Sequence, residues 1–383
     1  MTTTPIRVGF CLHAMQVAGA EVLVTQIMDR LRGEIEPTIF CLDYLGQLGE
    51  ELQAAGIPVV VFERKTGIDW DLSSRFAKEL NARKIDVLHA HQYTPFFYGA
   101  LARLRGAKAR IIMTEHGRHY PDIVSWKRKW MNQWILTRFA NHSTACCRFS
   151  AEALESKDGF RNVEVVYNGI DLASHPGRTT PAARDAIRES LGLSPQLKYI
   201  VCIARFHPVK DHETLIRGFA LAAKSASNMR LVLVGSGPEQ ERIRSLTRDL
   251  GIENLVEFWG VRRDISQILQ AMDGFTLTSV SEAASLTLLE AMANECPVAV
   301  TDVGGNGEHI DAGVHGLLSP RKDPGKLADN LTFLVQNDAA ARKFATAARN
   351  RVEVQFRLEN AVERYAQLYR QFQLRDRAQL PNN

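Results

Sequence analysis

Short apolar, β-branched runs alternate along this chain with longer stretches in which apolar positions recur every three or four residues. In the first half the runs fall at residues 6–10, 38–42, 59–62, 86–90, 110–114 and 164–167; a second series falls at 199–203, 230–234, 256–258, 274–277 and 297–301. The runs are continuous rather than alternating, which predicts strands covered on both faces, and the helical stretches between them supply the cover. The pattern therefore predicts an α/β chain of two doubly wound, parallel-sheet (Rossmann-like) domains.

Between the two series, residues 171–195 carry Pro176, Gly177, Pro181 and Pro195. They predict a linker containing one helix, with Thr180 as its N-cap, Pro181 at its first position and Gly192 past its end. The expected division is a first domain over 1–175, a linker over 176–195, a second domain over 196–350 and a tail over 351–383. That tail reads as helix, with Val354, Leu358, Val362, Tyr365, Leu368 and Tyr369 as an apolar stripe expected to bury itself against the first domain.

Of the 383 residues, 45% are apolar and 23% charged, which excludes a disordered or collagen-like chain. Lysine and arginine total 47 against 43 acids, a net charge of +4 that is well interspersed. This argues against a nucleic-acid partner and leaves an anionic ligand or a membrane surface open. The six cysteines show no C-x-x-C spacing, so neither a disulfide framework nor a zinc ribbon is expected. The opening residues lack a basic patch followed by an apolar core, and no 18 apolar residues run together, so the chain is expected in the cytoplasm.

The most informative stretch runs from Ser279 to Ala293. Ser285 is suited to start a helix whose first amides, of Leu286, Thr287 and Leu288, form an anion site backed by the helix dipole. Glu282 precedes that end and Glu290 lies eight positions later, so their carboxylates are separated by up to about 12 Å. Such spacing suits a ligand with a hydroxyl-rich ring at each end and phosphates between; two solvated glutamates near a helix start would read the same way. Arg205 and Lys210 follow the 199–203 run, in a loop at the carboxyl end of a strand, where open α/β sheets bind ligands. An arginine fork and a lysine point charge together can neutralise a diphosphate without a metal, and surface ion pairing is the plainer alternative. The run from Gly235 to Gln240 has two glycines but not the third of a dinucleotide fingerprint, which disfavours a nicotinamide enzyme. His89 and His91 share a strand face, but no carboxylate or cysteine joins them at ligand spacing, so no metal is expected.

Together these features resemble the retaining glycosyltransferases of family 4 (glycosyl transferases group 1), which have the GT-B fold with a cleft between two Rossmann-like domains. The resemblance rests on Glu282 and Glu290 followed by Ala291-Met292-Ala293, on Arg205 and Lys210, and on three further runs: Leu231 to Pro238, Val256 to Gly260 and Pro297 to Gly305. In the first half it rests on Asp86 to His91, on Thr114 to Gly117 and on Val165 to Asp171. It implies that Arg205 and Lys210 stabilise the donor diphosphate, that Glu290 binds ribose, and that Glu282 meets the transferred sugar. It further implies that His116 faces that sugar from the acceptor-side first domain, that Gly260, Val261 and Arg262 lie by the base, and that Gly19 lets the chain near the phosphates.

The implied reaction moves a sugar from a nucleoside-diphosphate sugar, uracil first and guanine second, to a hydroxyl of a glycan or lipid-linked acceptor with retention, in polysaccharide, lipopolysaccharide or exopolysaccharide synthesis. No cofactor is implied. Two departures stand out: Ala283-Ala284 replace glycine after the first glutamate, and Gly19 is the single glycine of a loop that is usually glycine-paired. A nucleotide-sugar epimerase of the same fold and a non-catalytic nucleotide-sugar-binding protein are the alternatives.

Residues 125–138 predict a helix with Trp126, Trp130 and Trp134 at i, i+4 and i+8 beside Lys127, Arg128 and Lys129. A helix lying on a membrane reads this way, which would make the protein peripheral on the cytoplasmic face. So does a helix packed on a sheet with its lysines in water.

Overall fold

The computed structural model describes residues 4–117 and 125–378; Met1 to Thr3, part of the opening read for a leader, lie outside them. The chain divides into two compact units: residues up to Asn168 with those from Glu359 on, and Gly169–Leu358.

The first unit holds a seven-stranded parallel sheet. Its strands are β1 (Ile6–Leu12), β2 (Ile35–Cys41), β3 (Val59–Val61), β4 (Val87–His91), β5 (Arg110–Glu115), β6 (Ala140–Ala145) and β7 (Glu164–Val165), ordered β3-β2-β1-β4-β5-β6-β7. The second unit holds six: β8 (Lys198–Ile203), β9 (Met229–Val234), β10 (Val256–Gly260), β11 (Gly274–Leu277), β12 (Val298–Thr301) and β13 (Leu317–Ser319), ordered β10-β9-β8-β11-β12-β13 and again parallel. Each is a doubly wound sheet, and continuous apolar runs produce it. In β1 every residue but Arg7 is buried, as expected of a strand covered on both faces.

Two strands escape the hydrophobic pattern. Strand β6 reads Ala-Asn-His-Ser-Thr-Ala and has no apolar run; it belongs in the sheet because pairing with β5 satisfies its backbone, while the buried Thr144 hydroxyl lies 2.6 Å from that of Thr114. Strand β13 is three residues long, too short to show a period.

The helix Pro181–Ser190 has the predicted cap, the Thr180 hydroxyl accepting from the Ala183 amide at 3.3 Å. It belongs to the second unit, because Arg184 and Arg188 both reach the Asp273 carboxylate, at 3.0 and 2.6 Å. The division thus falls after Asn168 and Leu358, where the sequence pattern put 175 and 350. The tail is two helices, Asp338–Gln355 and Leu358–Ala378. Leu358, Val362, Tyr365, Leu368 and Tyr369 are buried. Val354 is not: it ends the preceding helix and is 73% exposed.

Candidate active site

In the second sheet the chain leaves β8 toward β9 on one side, and β11 continues the sheet on the other. The loops after β8 and β11 therefore diverge at their carboxyl ends and leave a crevice, the usual ligand position in open α/β sheets. Backbone ties fix the two loops to each other. The Val280 amide donates to the Val209 carbonyl at 2.9 Å, and the Thr278 hydroxyl reaches the carbonyls of Lys210 and Asp211 at 3.0 and 2.9 Å.

Across this junction the Lys210 ammonium pairs with Glu282 Oε1, which also accepts from the Ser279 hydroxyl at 2.6 Å. Their side chains are only 24% and 10% exposed. The Glu282 loop is held from behind as well, because its carbonyl accepts from the Gly305 amide at 3.2 Å and the Thr301 hydroxyl donates to the Ser279 carbonyl at 2.7 Å. Neither Ala283 nor Ala284 has a positive φ, so these alanines follow Glu282 without backbone strain.

Arg205 is exposed, and among the described residues its guanidinium has no hydrogen-bonding partner. Its loop is shaped by the two glycines of Gly235-Ser236-Gly237. Gly235 has φ +137° and a side chain there would meet the Ala204 carbonyl oxygen at 2.2 Å; Gly237 has φ +154° and would meet that of Phe206 at 2.4 Å. These glycines exist so that two loops can touch backbone to backbone, with the Phe206 amide donating to the Ser236 carbonyl at 3.0 Å.

Helix Leu286–Ala293 starts at Ser285, as expected, but the Ser285 hydroxyl takes the Leu288 amide at 3.3 Å. This corrects the set of three free amides: Leu288 is spent on the cap, and Leu286 and Thr287 are the first-turn donors without an intrahelical acceptor. Glu290 lies half-buried one turn further on, and burial alone pushes its carboxyl up to about 7. Gly260, with φ +68°, ends β10, and its carbonyl accepts from the Gly235 amide at 2.7 Å. Val261 after it is 72% exposed. Arg262 is engaged by Asp264, Nε to Oδ1 at 2.8 Å, with its guanidinium carbon 5.5 Å from the Trp259 ring centre.

The first unit holds the other two predicted residues. Gly19 is exposed at the start of helix Gly19–Arg30, without a positive φ. His116 follows β5 and stacks on His91, ring centres 5.0 Å apart, with His116 Nε2 2.7 Å from His91 Nδ1. His91 lies 4.1 Å from His89 ring to ring.

Hydrogen-bond accounting orders the protons of this buried group. The Thr144 hydroxyl donates to the Met113 carbonyl at 3.3 Å, so Thr114 donates to Thr144, and His89 Nε2 donates to Thr114 at 2.7 Å. His89 Nδ1 is then the acceptor for the Tyr369 hydroxyl, also at 2.7 Å. Burial pushes His116 down to about 4 and His89 and His91 well below the usual histidine range, so all three are neutral near pH 7. Among the described residues, His91 Nε2 and His116 Nδ1 are buried without a partner. In the sequence His89 and His91 are a strand-face pair within the family-like run Asp86 to His91; their actual partners, Tyr369 and His116, are distant in the chain. Sequence reasoning also passed over Ser279, whose only signal is its place three residues before Glu282.

Two doubly wound parallel sheets, the second carrying a paired lysine and glutamate and an open helix N-terminus in the crevice at its switch point, define a GT-B architecture. Residues 17–174 match the family described as Glycosyltransferase Family 4, and residues 183–351 match Glycosyl transferases group 1. The chain belongs to this glycosyltransferase family.

Among its relatives, N-acetyl-alpha-D-glucosaminyl L-malate synthase of Bacillus anthracis is 29% identical over 79% of this chain and 78% of its own. The putative glycosyltransferase EpsD of Bacillus subtilis is 27% identical over 76% and 78%. The crystal structure of Anabaena HepE in complex with UDP and glucose superposes with a TM-score of 0.82, covering 95% of this chain and 99% of that one at 23% identity. These relatives are glycosyltransferases and not epimerases, which removes the epimerase alternative.

Proposed function

We propose that this glycosyltransferase takes a UDP-sugar as donor, a GDP-sugar being the second choice, and transfers the sugar with retention to a hydroxyl of a glycan or lipid-linked acceptor. The carrying observation is the convergence of Lys210, Ser279 and Glu282 beside the helix that starts at Leu286. The crystallised HepE complexes, with UDP and with UDP-glucose, support the choice of base.

In this reading Arg205, Lys210 and the amides of Leu286 and Thr287 receive the diphosphate, Glu290 accepts from ribose hydroxyls, and the rim from Gly260 to Arg262 flanks the base. Glu282 and, by the family resemblance, His116 attend the sugar, and Gly19 lies near the phosphates. As the bond from the anomeric carbon to the diphosphate oxygen breaks, charge grows on that oxygen, and donors already aimed there lower the barrier. The acceptor oxygen forms the new bond, and its proton passes to an oxygen of the departing diphosphate, which balances the step. No metal takes part, the two cations and the amides supplying the positive charge.

Among the described residues no helix is long and apolar enough to cross a membrane. We place the protein in the cytoplasm, peripheral on the membrane through the helix Trp126–Trp134, in polysaccharide or lipopolysaccharide synthesis. Trp126, Trp130 and Trp134, which are 74%, 57% and 53% exposed, support the contact.

A thermal-shift panel of UDP- and GDP-sugars tests the donor. One UDP-sugar at a hundred times its Kd should stabilise the fold by about 2.7 kcal/mol. A response only to GDP-sugars would overturn the base, and no response at all would overturn the reading. An anomeric proton of inverted configuration in the product, read by NMR, would overturn retention.

A further inference from the structure

The helix Trp126–Trp134 is turned against its expected polarity. The side that packs is largely polar, with Met131 its apolar member: buried Asn132 donates from Nδ2 to the Asp158 carbonyl at 2.9 Å and accepts from the Tyr93 hydroxyl at 2.7 Å. Arg128 pairs with Asp158 at 2.6 Å and lies over the Tyr93 ring, while Lys129 reaches the Ser156 carbonyl. All three tryptophans face outward, and Ile135 beyond them is 40% exposed. At the Trp134 end the stripe runs into a cavity of about 620 Å³, whose walls include Trp134, Arg138, Asn141, His142, Arg161 and Asn162.

Arg138 and Arg161 are exposed and, among the described residues, neither has an acidic partner. His142 in this wall is bonded to Glu164 at 2.7 Å, and the charge of Glu164 is matched by Arg364 at 2.6 Å. Two unpaired guanidinium groups therefore share a cavity with an exposed indole. The cavity is lined by Ala140 to Ser143, the amino-terminal part of β6, whereas His116 follows the carboxyl end of the parallel neighbour β5, about 10 Å further along the strands.

We propose that this cavity seats the phosphate of an anionic lipid head group while Trp126, Trp130 and Trp134 lie in the interfacial layer of the bilayer. The proposal rests on the membrane contact put forward above and adds the lipid charge that the contact selects. Guanidinium forks match phosphate oxygens, and indoles favour the head-group depth at which such phosphates sit. A basic residue close to an anionic surface strengthens binding roughly fivefold, so the pair should contribute more than tenfold. Arg138 and Arg161 thus make the contact selective, and the tryptophans make it adhesive.

Co-sedimentation with vesicles of phosphatidylcholine alone, or of equal parts phosphatidylcholine and phosphatidylglycerol, tests the proposal on the full chain. The double variant Arg138→Gln/Arg161→Gln should bind the mixed vesicles at least about tenfold more weakly than wild type, with a shallower salt dependence. The exposed pair Lys224→Gln/Lys326→Gln, which removes the same charge from the second unit, should change binding less than about twofold. Melting curves of both variants check that each folds.

If the arginine variant binds as wild type does, or loses no more than the lysine control, the seat is overturned. The same holds if Trp126→Ala/Trp130→Ala loses binding and the arginine variant does not; the stripe then acts alone and the membrane contact survives. Wild type that ignores both vesicles overturns the membrane contact and the seat together. Inorganic phosphate that displaces the protein from vesicles at equal ionic strength to a chloride control would assign the cavity to free anions instead.

Discussion

The crevice of the second unit lies past the carboxyl ends of parallel strands and the histidine group of the first lies within the end of β4 and just after β5, yet they are organised by opposite physics. In the crevice, charges lie in partly open loops: Lys210 pairs with Glu282, and Arg205 stands in solvent. In the first unit, His89, His91 and His116 are stacked and neutral, and burial holds them so. A site that must receive an anion keeps its cations near water, where desolvation costs little. A site that must touch a neutral hydroxyl-rich group can use buried imidazoles, each of which is donor on one nitrogen and acceptor on the other. The comparison teaches that exposed, paired charge and a buried neutral network are two different ways of equipping the end of a parallel sheet.

The sharpest way to break this contrast is to remove the charge. Lys210→Ala should lower turnover on the order of 10²–10³-fold, about 2.7–4 kcal/mol, as for loss of one oxyanion-type donor. Because Lys210 and Glu282 share a hydrogen bond, the effects of Lys210→Ala and Glu282→Gln should not add; the double-mutant cycle should show coupling of about 0.5–3 kcal/mol. Steady-state turnover of the two single variants and the double variant measures it. Strict additivity would mean that the pair does not act as a unit.

The contrast also explains what was legible in the sequence. Arg205 and Lys210 declare themselves because a cation just after a buried strand is a local pattern, and Glu282 and Glu290 because a helix start lies between them. The doubly wound fold is legible for the same reason, each strand being a continuous apolar run. Strand β6 is not legible, because Asn141 and Ser143 hide a strand whose place is set by its neighbours. Nor is the role of His89, whose partner Tyr369 lies 280 residues away. The Gly235 and Gly237 pair is visible in the sequence, but only the approach of the Ala204 and Phe206 carbonyls shows what it is for.

The neutral network can be tested where the tail helix enters it. Tyr369→Phe removes the hydroxyl that donates to His89 Nδ1 and leaves a buried acceptor unsatisfied. It should cost about 1–3 kcal/mol of stability in urea unfolding. Donor affinity, which the proposed reading assigns mainly to residues of the second unit, should stay within about twofold of wild type. A loss of donor affinity as large as the loss of stability would show that the two regions are not separable.

The smallest expected effect lies at Glu290, an acid of the crevice whose carboxylate, among the described residues, has no cationic partner. Glu290 is half-buried, and its carboxyl is pushed up to about 7. A ribose hydroxyl donates to a carboxylate, so donor affinity should rise as pH rises through that value. Between pH 6 and pH 8 the ionised fraction goes from about a tenth to about nine-tenths, which predicts up to about ninefold tighter binding at the higher pH. The sign for folding is the reverse. The folded chain keeps a proton that the unfolded chain has already released, so Glu290 contributes a loss of stability as pH rises from the ordinary glutamate range to about 7. Isothermal titration with an intact nucleotide-sugar, whose diphosphate diester does not titrate in this range, should show the affinity slope in wild type and none in Glu290→Gln. A slope that persists in the variant would assign the titration to another group and remove Glu290 from the ribose.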